Sequence, residues 1–109
     1  MAKVMGVDVK AAPTIITMEF LYQRRERLKS LASKRGARSL AVFGSVARGE
    51  AEPDSDIDFL IELGEGRNVL DLAELIGDLE EELGRAVDVV EIRVETPATK
   101  RVRQEAIFL

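Results

Sequence analysis

A glycine-serine pair, followed after ten residues by two closely spaced aspartates, limits what this chain can fold into. Gly44 and Ser45 directly follow the apolar run 39–43, which is suited to a buried strand. Glycine suits the end of such a strand where the backbone must turn tightly and approach a ligand closely. Ser45 then opens a short predicted helix, and the free N–H groups at a helix N-terminus can hold phosphate oxygens. The pattern therefore predicts a strand, a phosphate-holding turn and a helix in succession.

The two aspartates begin a second predicted strand. Residues 56–63 alternate, so Asp56, Asp58 and Leu60 share one face and the apolar residues between them share the other. Two carboxylates on one face repel each other unless a cation lies between them. Mg²⁺ prefers such oxygen ligands together with substrate phosphates. The spacing therefore predicts a site for a metal ion and a nucleotide. Asp54 shares this alternation, but the Pro53 and Ser55 beside it indicate a turn.

Asp88 is a third candidate acid, because it is the lone charge in the strand-like run 86–90. Isolated carboxylates are rarely buried without a partner or a metal. Three acids on neighbouring strands could hold two metal ions, which is the arrangement that clamps the oxygens in a phosphoryl displacement. The structural alternative is an ion pair between Asp88 and an arginine such as Arg85 or Arg93.

The chain resembles the minimal nucleotidyltransferases of the DNA polymerase beta superfamily, whose signature is GS-x10-DxD. The resemblance rests on the strings 43–50 and 53–58, and it extends over most of the chain to the acidic helix, the Asp88 strand and the last helix. It implies a polymerase beta-like nucleotidyltransferase fold. The family commonly has an aromatic residue after Gly-Ser, where this chain has Val46, so a stacking contact at that position is in doubt.

The resemblance also implies a function. Small members of the family are typically antitoxins that pair with a HEPN-domain RNase toxin, in what is termed a type VII toxin–antitoxin system. This chain resembles enzymes that move AMP from ATP onto a tyrosine of the toxin. Two alternatives stay open: a non-catalytic antitoxin that silences its partner by binding, and nucleotidylation of a small molecule such as an aminoglycoside. For an antitoxin of this family the expected partner is a HEPN toxin, and a homodimer or a hetero-oligomer with the toxin is possible.

Site roles follow from the motif and the resemblance together. Asp56, Asp58 and Asp88 are expected to bind the catalytic Mg²⁺, most simply two ions, and Asp88 also to help deprotonate the attacking hydroxyl. Gly44 and Ser45 are expected to bind the ATP triphosphate. Two basic residues, Arg48 and Lys100, are candidate contacts for the phosphates or for the acceptor. The alternative for both is an ordinary surface charge.

Composition narrows the chemistry. The 109 residues contain no cysteine and no histidine, so disulfides, thiolate metal sites and histidine bases are excluded. A net charge of −4 makes an extensive electrostatic contact with nucleic acid improbable. No apolar run approaches the length of a membrane span, so a cytoplasmic protein is expected. We predict a leader of uncertain structure over 1–13, as an edge strand through Val4, Val7 and Val9 or as disorder, and one nucleotidyltransferase domain over 14–109.

Helix signals complete the predicted architecture. One helix is expected over 14–35 with Gly36 as its stop, a second from an Asn68 cap to Gly84, and a third from Thr96 to the end at 109. With three core strands they give the fold class α/β, more narrowly α+β: a small mixed β-sheet with helices packed on one face and the carboxylates on the other. The second helix has a predicted apolar stripe and an acidic, exposed opposite face: Val69, Leu72, Ile76, Leu79 and Leu83, and then Glu74, Asp78, Glu81 and Glu82.

Overall fold

The computed structural model describes residues 13–109. The edge strand considered for Val4, Val7 and Val9 lies outside the described residues, and the division into a leader and a single domain stays a prediction. Within 13–109, no helix is both long enough and apolar enough to cross a membrane.

A four-stranded mixed sheet forms the centre of the described chain. Its strands are β1 (Ala37–Phe43), β2 (Ile57–Leu63), β3 (Val87–Glu91) and β4 (Ile107–Phe108), in the order β3-β2-β1-β4. β1 runs antiparallel to both β2 and β4, whereas β2 and β3 are parallel. The three predicted core strands are confirmed, and the mixed sheet agrees with the predicted fold class.

Five helices accompany the strands within residues 13–109. They are α1 (Met18–Gln23), α2 (Arg25–Lys34), α3 (Gly44–Arg48), α4 (Val69–Leu83) and α5 (Pro97–Glu105). α2 and α4 cover one face of the sheet, where a continuous apolar core is buried, with Leu28 from α2, Leu79 from α4 and Phe59 from β2 at its centre. The predicted placement of helices on one face is confirmed for these two helices.

α5 packs on part of the opposite face, where the prediction placed the carboxylates and no helix. Ala41 and Leu60, whose side chains alternate away from the main core, are buried in a smaller cluster, and Val102 and Ala106 from the end of the chain pack against it. Because Asp58 shares its face with Leu60, the carboxylate face is a partly covered surface, with α5 along one side.

The prediction of one helix over 14–35 is wrong in two respects. The helix begins only at Met18, because the Thr17 hydroxyl accepts a hydrogen bond from the Phe20 N–H and caps it. It is then interrupted at Arg24, which has non-helical dihedral angles of −108° and 11°. Leu21 and Leu28 on either side of the break are both fully buried, so the apolar periodicity survives an interruption that it does not reveal.

The prediction that the last helix continues to 109 is also wrong. α5 begins as expected, with a Thr96 capping box and Pro97 at its first position, but it ends at Glu105. Ala106 is extended, and Ile107 and Phe108 pair antiparallel with Val42 and Ala41. Residues with strong β propensity gain backbone partners along β1 by leaving the helix.

α4 is capped as predicted but differs in its faces. Asn68 and Asp71 form a capping box, and Gly84 ends the helix in a left-handed conformation. Val69 was predicted to be buried, yet it is 71% exposed, while Leu75 is fully buried. The acidic face is not simply solvent-exposed either. Three of its carboxylates form ion pairs with α2 and its C-cap: Glu74 and Asp78 with Arg35, and Glu82 with Arg27.

Candidate active site

Asp58 and Asp88 are direct neighbours in the sheet. The parallel register of β2 and β3 pairs Asp58 with Asp88, and the antiparallel register of β1 and β2 pairs Asp58 with Phe43. Paired residues on adjacent strands project from the same face, so the two carboxylates lie side by side. Asp56 lies immediately before β2 and is exposed. The structure therefore brings Asp58 and Asp88 together within the sheet, and Asp56 lies just before the start of β2.

Gly44 comes close to Asp58, at the end of β1. A Cβ atom built on Gly44 would overlap Oδ2 of the Asp58 carboxylate, and the glycine has a φ of 75°. Both the space and the dihedral angle therefore require glycine here. α3 starts at Gly44 and places Ser45 in its first turn, and Gly49 ends it in a left-handed conformation. The predicted strand, tight turn and short helix are all confirmed.

The Asp58 carboxylate is held in an environment that opposes its charge. Partial burial raises the pKa of Asp58, and the nearby charges of Asp88 and Asp56 raise it further, while Arg48 acts in the opposite direction. Negative charge is thus concentrated where Gly44 and the start of α3 meet β2. A cation at this place would relieve the repulsion.

Neither arginine considered as a structural partner of Asp88 pairs with it. Arg93 forms an ion pair with Glu91, with Nε 3.1 Å from Oε2. Arg85 donates its hydrogen bonds to main-chain carbonyl oxygens. Asp88 is exposed, so a purely structural ion pair does not account for this acid.

The fit of these residues to Mg²⁺ rests on the two register-paired carboxylates and the raised pKa of Asp58. Within residues 13–109, no three acidic side chains are gathered closely enough to form a complete cluster for a metal ion. Mg²⁺ is usually bound by one or two carboxylates together with substrate phosphates and waters, and it does not need a cage made only of protein ligands. The residues present therefore fit a cation that arrives with a nucleotide.

Arg48 lies beside the aspartates but is already engaged by two carboxylates. Its Nε is 2.9 Å from Glu50 Oε1, and its Nη1 is 3.6 Å from Glu105 Oε1. The hydrogen bond to Glu50 is the main reason that the pKa of Arg48 is raised. Arg48 thus connects α3 to the end of α5. Lys100 is exposed on α5, and no contact among the described residues links it to the three aspartates.

The turn before β2 leads directly to Asp56. Residues 53 and 54 form a turn, as predicted for Asp54, and the Ser55 hydroxyl accepts a hydrogen bond from the Glu52 N–H at 2.8 Å.

Sequence reasoning missed the contacts of Arg85, which it considered only as a partner for Asp88. Its partners are main-chain carbonyls of residues distant in the sequence, and such contacts leave no pattern of side chains that could reveal them.

Comparison with known proteins gives this site its context. Residues 21–108 match the Nucleotidyltransferase domain family. The chain belongs to this family. Its matched region contains β1, α3, β2 and β3, and therefore every residue of the site described above. The chain is accordingly an enzyme of the nucleotidyltransferase class, and the predicted resemblance to this class is confirmed.

Several relatives of this nucleotidyltransferase are similar over most of their length. A candidate protein adenylyltransferase of Methanocaldococcus jannaschii is 40% identical over 84 residues, which are 76% of this chain and 90% of that protein. The protein adenylyltransferase MntA of Thermococcus cleftensis is 38% identical over 82 residues, or 74% of this chain and 83% of that protein. A solved structure of a candidate minimal nucleotidyltransferase is 47% identical, with a TM-score of 0.76, over 86% of this chain and 97% of that one.

More distant solved structures share the fold. A toxin–antitoxin crystallised with AMP-PNP has a TM-score of 0.65 at 20% identity, over 76% of this chain and 69% of that one. A tri-AMPylated HEPN toxin of Shewanella oneidensis in complex with an MNT antitoxin gives a TM-score of 0.60 at 18% identity, over 80% of this chain and 69% of that one. At these identities, the likeness shows the fold alone.

Proposed function

We propose that this nucleotidyltransferase is a Mg²⁺-dependent protein adenylyltransferase that transfers AMP from ATP to a tyrosine of a cognate HEPN toxin. It would thereby act as the antitoxin of a type VII toxin–antitoxin pair, in a complex with its toxin. Because ATP is the proposed substrate, we place the reaction in the cytoplasm. The relatives named as protein adenylyltransferases support AMP transfer to a protein, and the toxin–antitoxin neighbours support the kind of partner.

The observation that carries this proposal is the in-register pair of Asp58 and Asp88 beside Gly44. Asp56, Asp58 and Asp88 would hold Mg²⁺, which when bound neutralises charge on the triphosphate and on the oxygens that attack and leave. Gly44 leaves room for the Asp58 carboxylate, and Ser45 offers its hydroxyl and an N–H in the first turn of α3. We assign the triphosphate to this turn.

The chemistry assigned to the chain is one in-line displacement. The tyrosine oxygen attacks the α-phosphorus of ATP, a new P–O bond forms, and the bond from the α-phosphorus to the bridging oxygen breaks, releasing pyrophosphate. The tyrosine proton passes to a carboxylate oxygen of Asp88, which is exposed and therefore accessible to an acceptor from another protein. Arg48 would contact the triphosphate only after exchanging at least one of its carboxylate partners.

A mass measurement on the toxin tests the proposal. With toxin, ATP and Mg²⁺, the wild-type enzyme should increase the toxin mass by one or more AMP units and silence its RNase activity. Asp88→Asn keeps the shape of the side chain but removes its charge, so transfer should fall by about 10²–10⁴-fold while the complex still forms. Asp54→Asn, the same change in the exposed turn before β2, should leave transfer unchanged.

The outcomes separate an enzyme from a binding antitoxin. Silencing without any mass change, given equally by wild type and Asp88→Asn, would reject the adenylyltransferase and favour inhibition by binding alone. Transfer by Asp88→Asn at the wild-type rate would remove Asp88 from the proposed mechanism. Transfer of AMP to an aminoglycoside but not to the toxin would favour the small-molecule alternative.

A further inference from the structure

We infer that Arg85 is a positioning residue that holds the backbone of Asp56 against the segment leading into β3. Arg85 lies in the short connection between α4 and β3, three residues before Asp88. It is half-buried. The inference concerns how Asp56 is placed relative to the other two acids, and it rests on the proposed metal and nucleotide site.

Hydrogen bonds from two consecutive residues bracket Asp56. Arg85 Nη1 donates to the Ser55 carbonyl at 3.3 Å, immediately before Asp56. The Ala86 carbonyl accepts from the Ile57 N–H at 3.2 Å, immediately after it. The two peptide units that flank Asp56 are therefore both attached to residues 85–86, and this same segment continues directly into the strand that carries Asp88.

Asp56 needs such a tether because strand pairing does not reach it. The register of β2 with β3 begins at Ile57, and Asp56 is exposed before it. The preceding turn is closed by bonds within itself, from Ser55 N to Glu52 O at 3.0 Å and from Glu52 N to Ser55 Oγ at 2.8 Å. These bonds shape the turn, but they do not fix its position relative to β3.

The other arm of the Arg85 guanidinium is anchored at the entry of the described chain. Nη2 donates to the Pro13 carbonyl at 2.8 Å and to the Thr14 carbonyl at 3.0 Å. Because the guanidinium is planar and its donors have a fixed fork geometry, the bonds at Nη2 restrict the direction in which Nη1 points toward Ser55. Three chain segments are thus joined by one side chain: the entry segment, the turn before β2 and the connection before β3.

A fixed Asp56 matters for binding because Mg²⁺ demands near-ideal geometry from its oxygen ligands. Outer partners that orient metal ligands typically change metal affinity by about 10–100-fold when they are replaced. The contacts of Arg85 are to neutral carbonyls, so its effect comes from the fork and not from its charge alone. Lysine carries the same charge on a single point donor and cannot span both arms.

Nucleotide affinity and amide exchange test this inference together. Calorimetry would measure binding of the α,β-methylene analogue of ATP with Mg²⁺, and hydrogen exchange would follow the amides of residues 52–57. We expect Arg85→Ala and Arg85→Lys both to weaken binding by about 10-fold or more and to speed exchange at 55–57. Arg93→Lys is the matched control, because Arg93 is exposed and pairs with Glu91, and it should change neither quantity.

The possible results are distinct. Wild-type affinity and exchange in Arg85→Lys would overturn the fork, since charge alone would then suffice. Unchanged affinity in Arg85→Ala, with tight binding by the wild type, would overturn the positioning role altogether. If the wild type failed to bind the analogue but the Arg85 variants still exchanged faster at 55–57, the tether would be supported and the proposed nucleotide site would be rejected.

Discussion

The fold places the Asp58 carboxylate in surroundings that disfavour its ionised form. Partial burial and the charges of Asp88 and Asp56 all favour the protonated carboxyl, so the pKa of Asp58 is raised. A carboxyl with a raised pKa binds its proton more tightly in the folded state than in the unfolded state. Stability therefore falls as the pH rises through the window between the ordinary value of 3.8 and the raised value. Above that window the carboxylate is ionised in both states, and its charge lowers the free energy of unfolding by the full amount.

Replacing Asp58 should consequently stabilise the metal-free protein. We expect Asp58→Asn to raise the Tm in EDTA at neutral pH, and the gain to disappear as the pH falls through the window to below the ordinary value, where both side chains are neutral. Thermal unfolding followed by circular dichroism across the pH range would measure this. A lower Tm for Asp58→Asn at neutral pH would show that the carboxylate has a stabilising partner in the fold.

Asp78 provides the opposite control for that experiment. Its hydrogen bond from Arg35, with Nε 2.8 Å from Oδ2, lowers the pKa of Asp78. The stability that this pair contributes is present above the ordinary pKa and is lost as the pH falls through the lowered value. Asp78→Asn should therefore lower the Tm at neutral pH, in contrast to Asp58→Asn, and the two variants should converge with the wild type only in acid.

The helix α4 contributes both to the buried core and to the support of the candidate site. Its Leu75, Leu79 and Leu83 are fully buried under the sheet. Near its C-terminal end, Glu80 accepts a hydrogen bond from the Val87 N–H at 3.1 Å, one residue before Asp88. The helix thus supports the strand that carries the third acid from behind.

Two identical substitutions in α4 should separate its inner face from its outer face. Leu75→Ala removes a fully buried side chain and should lower the free energy of unfolding by about 2–5 kcal/mol. Leu70→Ala in the same helix removes a side chain that is 69% exposed and should change it by about 0.5 kcal/mol or less. Chemical denaturation measures both. Equal losses would mean that the outer surface near the start of α4 is buried in solution.

The charge of the whole protein bears on how it can bind ATP. The net charge is −4, and three of the acids lie near the place that we propose for the triphosphate. Without a cation these groups repel one another, and Arg48, whose charge acts on Asp58, is already paired with Glu50 and Glu105. The affinity for ATP should therefore depend on Mg²⁺.

Calorimetry with and without metal would measure this dependence. We expect ATP to bind in Mg²⁺ and to lose at least about 10-fold in affinity in EDTA. Asp56→Ala with Asp58→Ala should bind weakly in both conditions and stay folded. Glu65→Ala with Glu81→Ala removes two exposed acids elsewhere and should keep the wild-type dependence on Mg²⁺. Equal affinity in Mg²⁺ and EDTA would point to direct contacts with basic side chains such as Arg48 or Lys100.

Local signals in the chain were sufficient for most of its helices, strands and turns. The cap at Asn68, the Thr96-Pro97 start and the stop at Gly84 act over three or four residues, through hydrogen bonds that neighbouring residues make with one another. The alternation after Asp56 likewise depends only on the period of a strand. For this reason the Gly44 turn and the candidate carboxylates Asp56 and Asp58 could be predicted.

Contacts between distant segments decided the rest. Three kinds of contact join residues between 30 and 72 positions apart: the register that pairs Asp58 with Asp88, the pairing of Ile107 with Val42, and the hydrogen bonds of Arg85 to Pro13 and Ser55. Such contacts depend on how the elements pack, and main-chain carbonyls as partners leave no trace in residue type. The candidate acids could be read from their local patterns, whereas the support that holds them in place appears only once the chain has folded.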